Sequence, residues 1–431
     1  MKPAKLTILV AVTVASFYSA SAANWPAWRG PTGSGVSPEK NLPTKWSATE
    51  NVRWKIPLAE RGNSTPAVWG ERVFVTQAAN DEQRRTLMCL DRRDGRLLWE
   101  RGVDYAAREQ AHPDNPPCSG SPGTDGERVV VCHASAGVFC YDFSGKELWR
   151  RDLGKLDFEF GPGASPFIHG DLVFLYRGPD AKAFLIALDK RTGKTIWKND
   201  DPPVVTAGRV DGFRGQKGLV SSYSMPILVK AGGREELVMS FPGTVQAFNP
   251  TDGRSLWSCG GLNPLVYTSP ISGDGIVVAM GGYFGNTIAV PVGGAGDVTS
   301  KRLWQTVRTK NRLGSGVIHG GHVYILNTEG IAECIELKTG KAVWMERLQG
   351  KGAKQESWSS MVLAGDLIYI LNQSAETYVL RASPKFELVT VNTLDGALCN
   401  ASHAVSDGEF FIRTQRHLWC IGEKKKATAA R

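Results

Sequence analysis

The stretch Ala187-Leu188-Asp189-Lys190-Arg191-Thr192-Gly193-Lys194-Thr195-Ile196-Trp197 decides the fold. It reads as the end of one strand, a tight turn at Thr192-Gly193, and the start of a second strand carrying Trp197. Each residue type has a physical task. The Asp carboxylate accepts N–H groups of the turn, Gly allows positive φ, and Trp buries a large ring while its N–H keeps a partner. The same spacing returns in Cys89/Asp91/Asp94/Gly95/Trp99, in Ala247/Asn249/Asp252/Gly253/Trp257 and in Cys334/Glu336/Thr339/Gly340/Trp344.

Working outward, the chain is an internal repeat. Trp99, Trp149, Trp197, Trp257, Trp304 and Trp344 recur at spacings of 50, 48, 60, 47 and 40. A Gly followed by β-branched and aromatic residues precedes each short strand: Gly70 before Val73-Phe74-Val75, Gly126 before Val129-Val130-Val131, Gly170 before Val173-Phe174-Leu175, Gly365 before Ile368-Tyr369-Ile370. Earlier still comes a Ser/Thr-Pro step, as at Thr65-Pro66, Ser121-Pro122, Ser165-Pro166 and Ser269-Pro270. Each unit therefore holds four strands, a to d, and a four-stranded unit repeated every 40 to 50 residues is a β-propeller blade.

Strand a starts fall near residues 65, 121, 165, 225, 269, 316, 360 and 402. The expected fold is all-β: an eight-bladed β-propeller of four-stranded blades over residues 51–423. The last unit ends at Cys420-Ile421-Gly422 with no strand d after it, while Val52-Arg53-Trp54-Lys55-Ile56 stands unused at the other end. An open edge invites aggregation, so the N-terminal strand is expected to close blade 8. Blade 7 is degenerate, with Phe386 where Trp is expected, and blade 5 replaces its tight turn by a longer one containing Gly293-Gly294-Ala295-Gly296.

This pattern resembles the Trp-docking repeat of pyrroloquinoline-quinone-type propellers, over about 370 residues. That family includes quinoprotein alcohol dehydrogenases and the non-enzymatic propeller lipoprotein of the outer-membrane β-barrel assembly machinery. The motif is structural, so the resemblance implies a fold and leaves activity open. The dehydrogenases hold a flat quinone with calcium and an Asp base, usually above two adjacent cysteines; this sequence has no Cys-Cys and no Cys-x-x-Cys-His. The chain therefore resembles the non-enzymatic exported members more closely. WD-repeat propellers are disfavoured, since no Trp-Asp dipeptide occurs.

Composition agrees. There are 48 glycines in 431 residues, above the roughly 7% background. A formal charge of +9 is mild for this length and does not imply nucleic acid. Residues 1–22 have the three parts of a secretory signal: Lys2 and Lys5, an apolar run from Leu6 to Phe17, and Ala20-Ser21-Ala22. The run is too short to span a bilayer, and no cysteine follows the cleavage point until Cys89. An exported protein, periplasmic or extracellular and soluble after cleavage near Ala22, is expected. Residues 23–50 form a Pro/Gly/Trp-rich extension, and residues 424–431 a basic tail with Lys424-Lys425-Lys426.

Isolated motifs reduce to the repeat. Cys89, Cys140, Cys334 and Cys420 share one repeat position with Ala187 and Ala247, so they read as small packing residues. The pairing of Cys118, Cys132, Cys259 and Cys399 stays open. His319-Gly-Gly-His322 aligns with the a–b turn, and Ser37-Pro-Glu-Lys40 has no companion motif of a Ser-x-x-Lys nucleophile. No metal or catalytic set is assigned.

The a–b and c–d turns share one face; the long d–a and b–c loops, such as 103–118 and 199–222, share the other. Binding groups concentrate on long loops held by a rigid scaffold. Candidate binding residues on that face are Gln77, His133, Arg177, Arg214, Arg312, Asn327 and Asn372. Arg108, His112, Asp211, Lys217, Tyr267, Arg308, Glu356 and Trp358 lie in neighbouring loops. The expected function is a non-catalytic, monomeric scaffold that binds a protein or an envelope polymer, with no cofactor. The alternative is a quinone-dependent dehydrogenase of alcohols or sugars, using pyrroloquinoline quinone (PQQ) with calcium.

Overall fold

The computed structural model describes residues 23–157, 160–180, 182–201, 221–282, 285–307 and 310–423. The signal segment, the basic tail, and Asp211, Arg214, Lys217 and Arg308 lie outside them. Eight antiparallel sheets are each built on four strands. Blade 1 shows the pattern, with strands a to d at Ala67–Trp69, Arg72–Ala79, Arg84–Asp91 and Leu97–Asp104. Strand a of blades 2 to 8 is Gly123–Thr124, Phe167–His169, Ile227–Ala231, Ile271–Gly273, Val317–His319, Val362–Ala364 and Ala404–Ser406. Val52–Pro57 pairs antiparallel with His417–Ile421 and completes blade 8, setting Trp54 opposite Cys420.

The repeat stretch behaves as its chemistry requires. Asp189 Oδ1 accepts the N–H of Thr192 at 2.7 Å and its hydroxyl at 2.8 Å, and these bonds hold the carboxyl below its usual pKa. Gly193 has φ +69, and a Cβ there would lie 2.7 Å from the ring of Trp149, which belongs to the preceding blade. The glycine is therefore needed twice, for its backbone and for the ring it receives. The Trp149 indole N–H donates to Lys190 O at 2.9 Å. Trp54, Trp99, Trp197, Trp304 and Trp344 likewise donate to the next blade, at Arg92, Phe143, Pro250, Leu337 and Ser383. Blade 4 departs: Trp257 donates at 2.8 Å to Glu236 of its own sheet, and the long turn of blade 5 adds a short parallel strand, Gly296–Asp297, to that sheet's edge.

The shared Cys/Ala position also has a reason. Cys89, Cys140, Ala187, Ala247, Cys334 and Cys420 stand across from Trp99, Trp149, Trp197, Trp257, Trp344 and Trp54 in the c–d register. A small side chain leaves the indole room. All eight cysteines are buried and free.

In blade 7 the structure moves the expected Trp position. The residue in register with Val379 is Thr390, not Phe386. Phe386 instead packs edge-on against Trp344, with centroids 5.2 Å apart. The missing indole comes from the N-terminal extension. Trp46 is 4% exposed, stacks on Tyr369 at 6.5 Å and lies 5.2 Å from Phe410. Its backbone N–H bonds Asn392 Oδ1 at 2.9 Å, fixing the extension along strand d of blade 7.

A candidate ligand cup at the axis

The residue two before each strand a forms a closed ring about the axis. Thr65 N–H donates to Ser121 Oγ, Ser121 to Ser165, Ser165 to Met225 Sδ, Met225 to Ser269, Ser269 to Ser315, Ser315 to Ser360, Ser360 to Ser402, and Ser402 to Thr65 Oγ1. The seven oxygen acceptors lie at 2.8–3.0 Å and the thioether at 3.4 Å. The four Ser/Thr-Pro steps of the sequence are half of this ring.

The extension closes the channel below it. Trp25 exchanges two backbone hydrogen bonds with Val68 of blade 1. Pro26 O accepts from Thr124 of blade 2, Thr32 O from Leu228 of blade 4, and Gly35 O from Leu363 of blade 7. Val36–Ser37 then adds in parallel to Leu363–Ala364. Arg29, 2% exposed, donates to Gly33 O, Ser34 O, and Ser315 O and Gly316 O of blade 6. Burial lowers its pKa to about 9, so four carbonyls stabilise this cation in place of a carboxylate. The segment thus spans inner strands on opposite sides of the ring.

Above the plug, running through the ring to the residues beyond it, is a cavity of about 390 Å³. Trp28 of the plug forms its floor. Its wall contains one residue per blade, two before each ring member: Asn63, Ser119, Gly163, Tyr223, Tyr267, Leu313, Trp358 and Asn400. The repeat keeps the ring nearly uniform but varies this wall from blade to blade. Amides from blades 8 and 1 thereby face tyrosines from blades 4 and 5 across the axis. His112, Asn115 and Phe160 add a rim, with His112 5.4 Å from Trp358 and Tyr223 5.4 Å from Tyr267. Asn63 and Asn400 both donate to Asp114 O, which ties the 103–118 loop to blades 1 and 8. Asn63 Oδ1 is buried without a hydrogen-bond partner. No Lys, Arg, Asp or Glu lines the cavity among the described residues.

His112, Tyr267 and Trp358, noted in the loops, meet in this cup. The strand-end candidates lie beneath its rim. Gln77, His133, Arg177, Arg312, Asn327 and Asn372 are all at most 6% exposed. Gln77 donates to Glu60 O at 2.8 Å. Asn327 Oδ1 accepts from Glu329 and Ile331, and Asn372 Oδ1 from Ser374 and Glu376. Arg177 pairs with Asp180 at 2.9 Å, and Arg312 pairs with Glu333. Burial lowers the His133 pKa to about 3, with Arg85 adding to the shift. These polar strand ends staple the b–c loops, because a turn buried against its neighbours must satisfy its own N–H groups. Arg108 and Glu356 remain exposed. Sequence reasoning missed Trp28, Asn63, Asn115 and Asn400. A signal was present for the wall: counting back two residues from the Ser/Thr-Pro steps gives Asn63, Ser119, Gly163 and Tyr267, half of it.

The geometry defines a class: an eight-bladed propeller with docked tryptophans and an axial cup open on the long-loop face. The family model for the outer membrane protein assembly factor BamB matches residues 36–110, 83–346 and 242–410, and the chain belongs to that family. It is 23% identical over 371 residues to outer membrane protein assembly factor BamB of Burkholderia pseudomallei, covering 76% of this chain and 87% of that one. The BamB crystal structure from Moraxella catarrhalis superposes with a TM-score of 0.58 at 14% identity, covering 86% of this chain and 97% of that one. The quinohemoprotein alcohol dehydrogenase from Comamonas testosteroni superposes at 0.62 with 10% identity, covering 95% and 82%. The two crystal structures share its fold.

Proposed function

We propose that this chain is an exported, non-catalytic propeller that holds a protein partner of the envelope through its long-loop face, with an uncharged segment of that partner seated in the axial cup. One observation carries the reading. The repeat keeps Ser or Thr at seven of the eight ring positions, yet spreads Asn, Ser, Gly, Tyr, Leu and Trp over the eight wall positions of the cup. Membership of a family named for outer-membrane assembly supports a protein as the partner. Aromatic faces with amides suit neutral polar ligands, which favours a neutral envelope polymer as the second reading.

The dehydrogenase reading fits the donor set poorly. A polyanionic quinone with calcium calls for cationic side chains and carboxylates, and none lines the cup among the described residues. Nor does any cluster among the described residues combine three His, Cys, Asp or Glu.

The test is capture from envelope extracts by the immobilised mature protein. Tyr267→Ala and Trp358→Ala should weaken capture, whereas Arg72→Glu on the short-turn face should leave it intact. Equal loss from both faces would remove the cup assignment. Stoichiometric quinone binding with dye-linked alcohol oxidation would restore the enzyme.

A further inference from the structure

The first three residues after the expected cleavage point are each fastened across the seam between blades 8 and 1. Ala23 N–H donates to Asp407 Oδ1 at 2.8 Å, in the a–b turn of blade 8. Asn24 Oδ1 accepts the Gly70 N–H at 2.9 Å, in the a–b turn of blade 1. Trp25 bonds Val68 in both directions.

The surroundings of Asp407 are unbalanced in charge. Arg92, 7% exposed, reaches over from blade 1 to Asp407 Oδ2 at 3.2 Å and Glu409 Oε2 at 2.9 Å. Glu39 of the extension accepts the Gly408 N–H through one oxygen, while its other oxygen is buried without a partner. Arg53 lies 3.7 Å from Glu409. Three carboxylates, Glu39, Asp407 and Glu409, thus share two guanidinium groups. Burial raises the Glu39 pKa, and the Asp407 charge adds to the rise.

We propose that cleavage between Ala22 and Ala23 creates the missing cation: the new α-ammonium of Ala23 docks on Asp407 and completes the charge cluster at the seam. Hydrolysis of that peptide bond consumes one water and releases the signal peptide with a C-terminal carboxylate. Ala23 keeps its place and its donor, but the donor becomes charged, and a charge-assisted bond is stronger than the amide bond it replaces. Processing therefore tightens the joint where the ring is closed, independently of what the cup binds.

The experiment compares the chain beginning at Ala23 with one carrying Gly-Ser ahead of it. Both retain a donor at Ala23; only the first carries the ammonium charge on that nitrogen, the second carrying it two residues away. The first should melt higher at pH 7, by about 1 °C. The pair raises the amine's pKa in the folded state, so the gain is full below the free amine's value of about 8 and is lost as pH rises through the folded value. Asp407→Asn should abolish the difference between the two forms. If that variant fails to fold beside buried Arg92, acetylation of Ala23 on the unchanged chain should remove the same increment. Equal melting of the two forms, a gap that survives Asp407→Asn or acetylation, or an exported chain whose intact mass begins elsewhere than Ala23 would overturn the proposal.

Discussion

The backbone N–H of Ser402 donates to Thr65 Oγ1 at 2.9 Å, joining the last blade to the first and closing a ring of eight hydrogen bonds. The two residues are 337 apart in sequence, and both are buried. The strand of residues 52–57 completes blade 8, and its Trp54 donates to Arg92 O of blade 1, so the seam is latched at both radii.

Thr65→Val keeps the shape but removes the acceptor. The buried Ser402 N–H then loses its partner, which costs about 1–3 kcal/mol. Chemical denaturation should show that loss, and Thr65→Ser should restore most of it.

Trp46 substitutes for the docking residue of blade 7. Trp46→Ala should therefore destabilise by about 3–5 kcal/mol, the range for a buried aromatic. Phe386→Ala, at the position the sequence pattern suggested, should cost less because that ring is only half-buried. A larger loss at Phe386 would contradict the register of blade 7.

Replacing Cys89, Cys140, Cys334 and Cys420 together by Ala should cost about 1 kcal/mol per site or less. Ala187 and Ala247 already serve opposite their tryptophans. Burial raises the pKa of the Cys89 and Cys140 thiols to about 12, so thiol reagents should label neither in the folded protein at neutral pH.

Acid should destabilise the fold from an unusual source. His133 and His403 are buried, and burial lowers both pKa values to about 3. The unfolded chain takes up their protons first, so their stabilising contribution is complete above about pH 6.5 and falls as pH drops toward 3. Each adds a slope of about 1.4 kcal/mol per pH unit in that window. His403→Gln should flatten the decline measured by denaturant titration between pH 6 and 4. An unchanged slope would mean that the ring is protonated in the folded state.

The sequence by itself determined the local chemistry that repeats. Asp189, Gly193 and Trp197 act within one turn and its two strands, so their spacing announces the blade, the blade count and the orphan strand at Val52. It also showed the Ser/Thr-Pro steps. Only the tertiary structure decided which groups meet at the axis and the seams. Trp28 and Arg29 occupy a non-repeating segment, and the carbonyls that Arg29 meets on blade 6 are more than 280 positions away. Arg177 and Arg312 read as exposed charges because a strand end usually meets water. Asp180 and Glu333 instead pair with them under folded loops. Burial is a property of what packs over a residue, and in a ring that cover comes from a neighbouring blade or from the distant end of the chain.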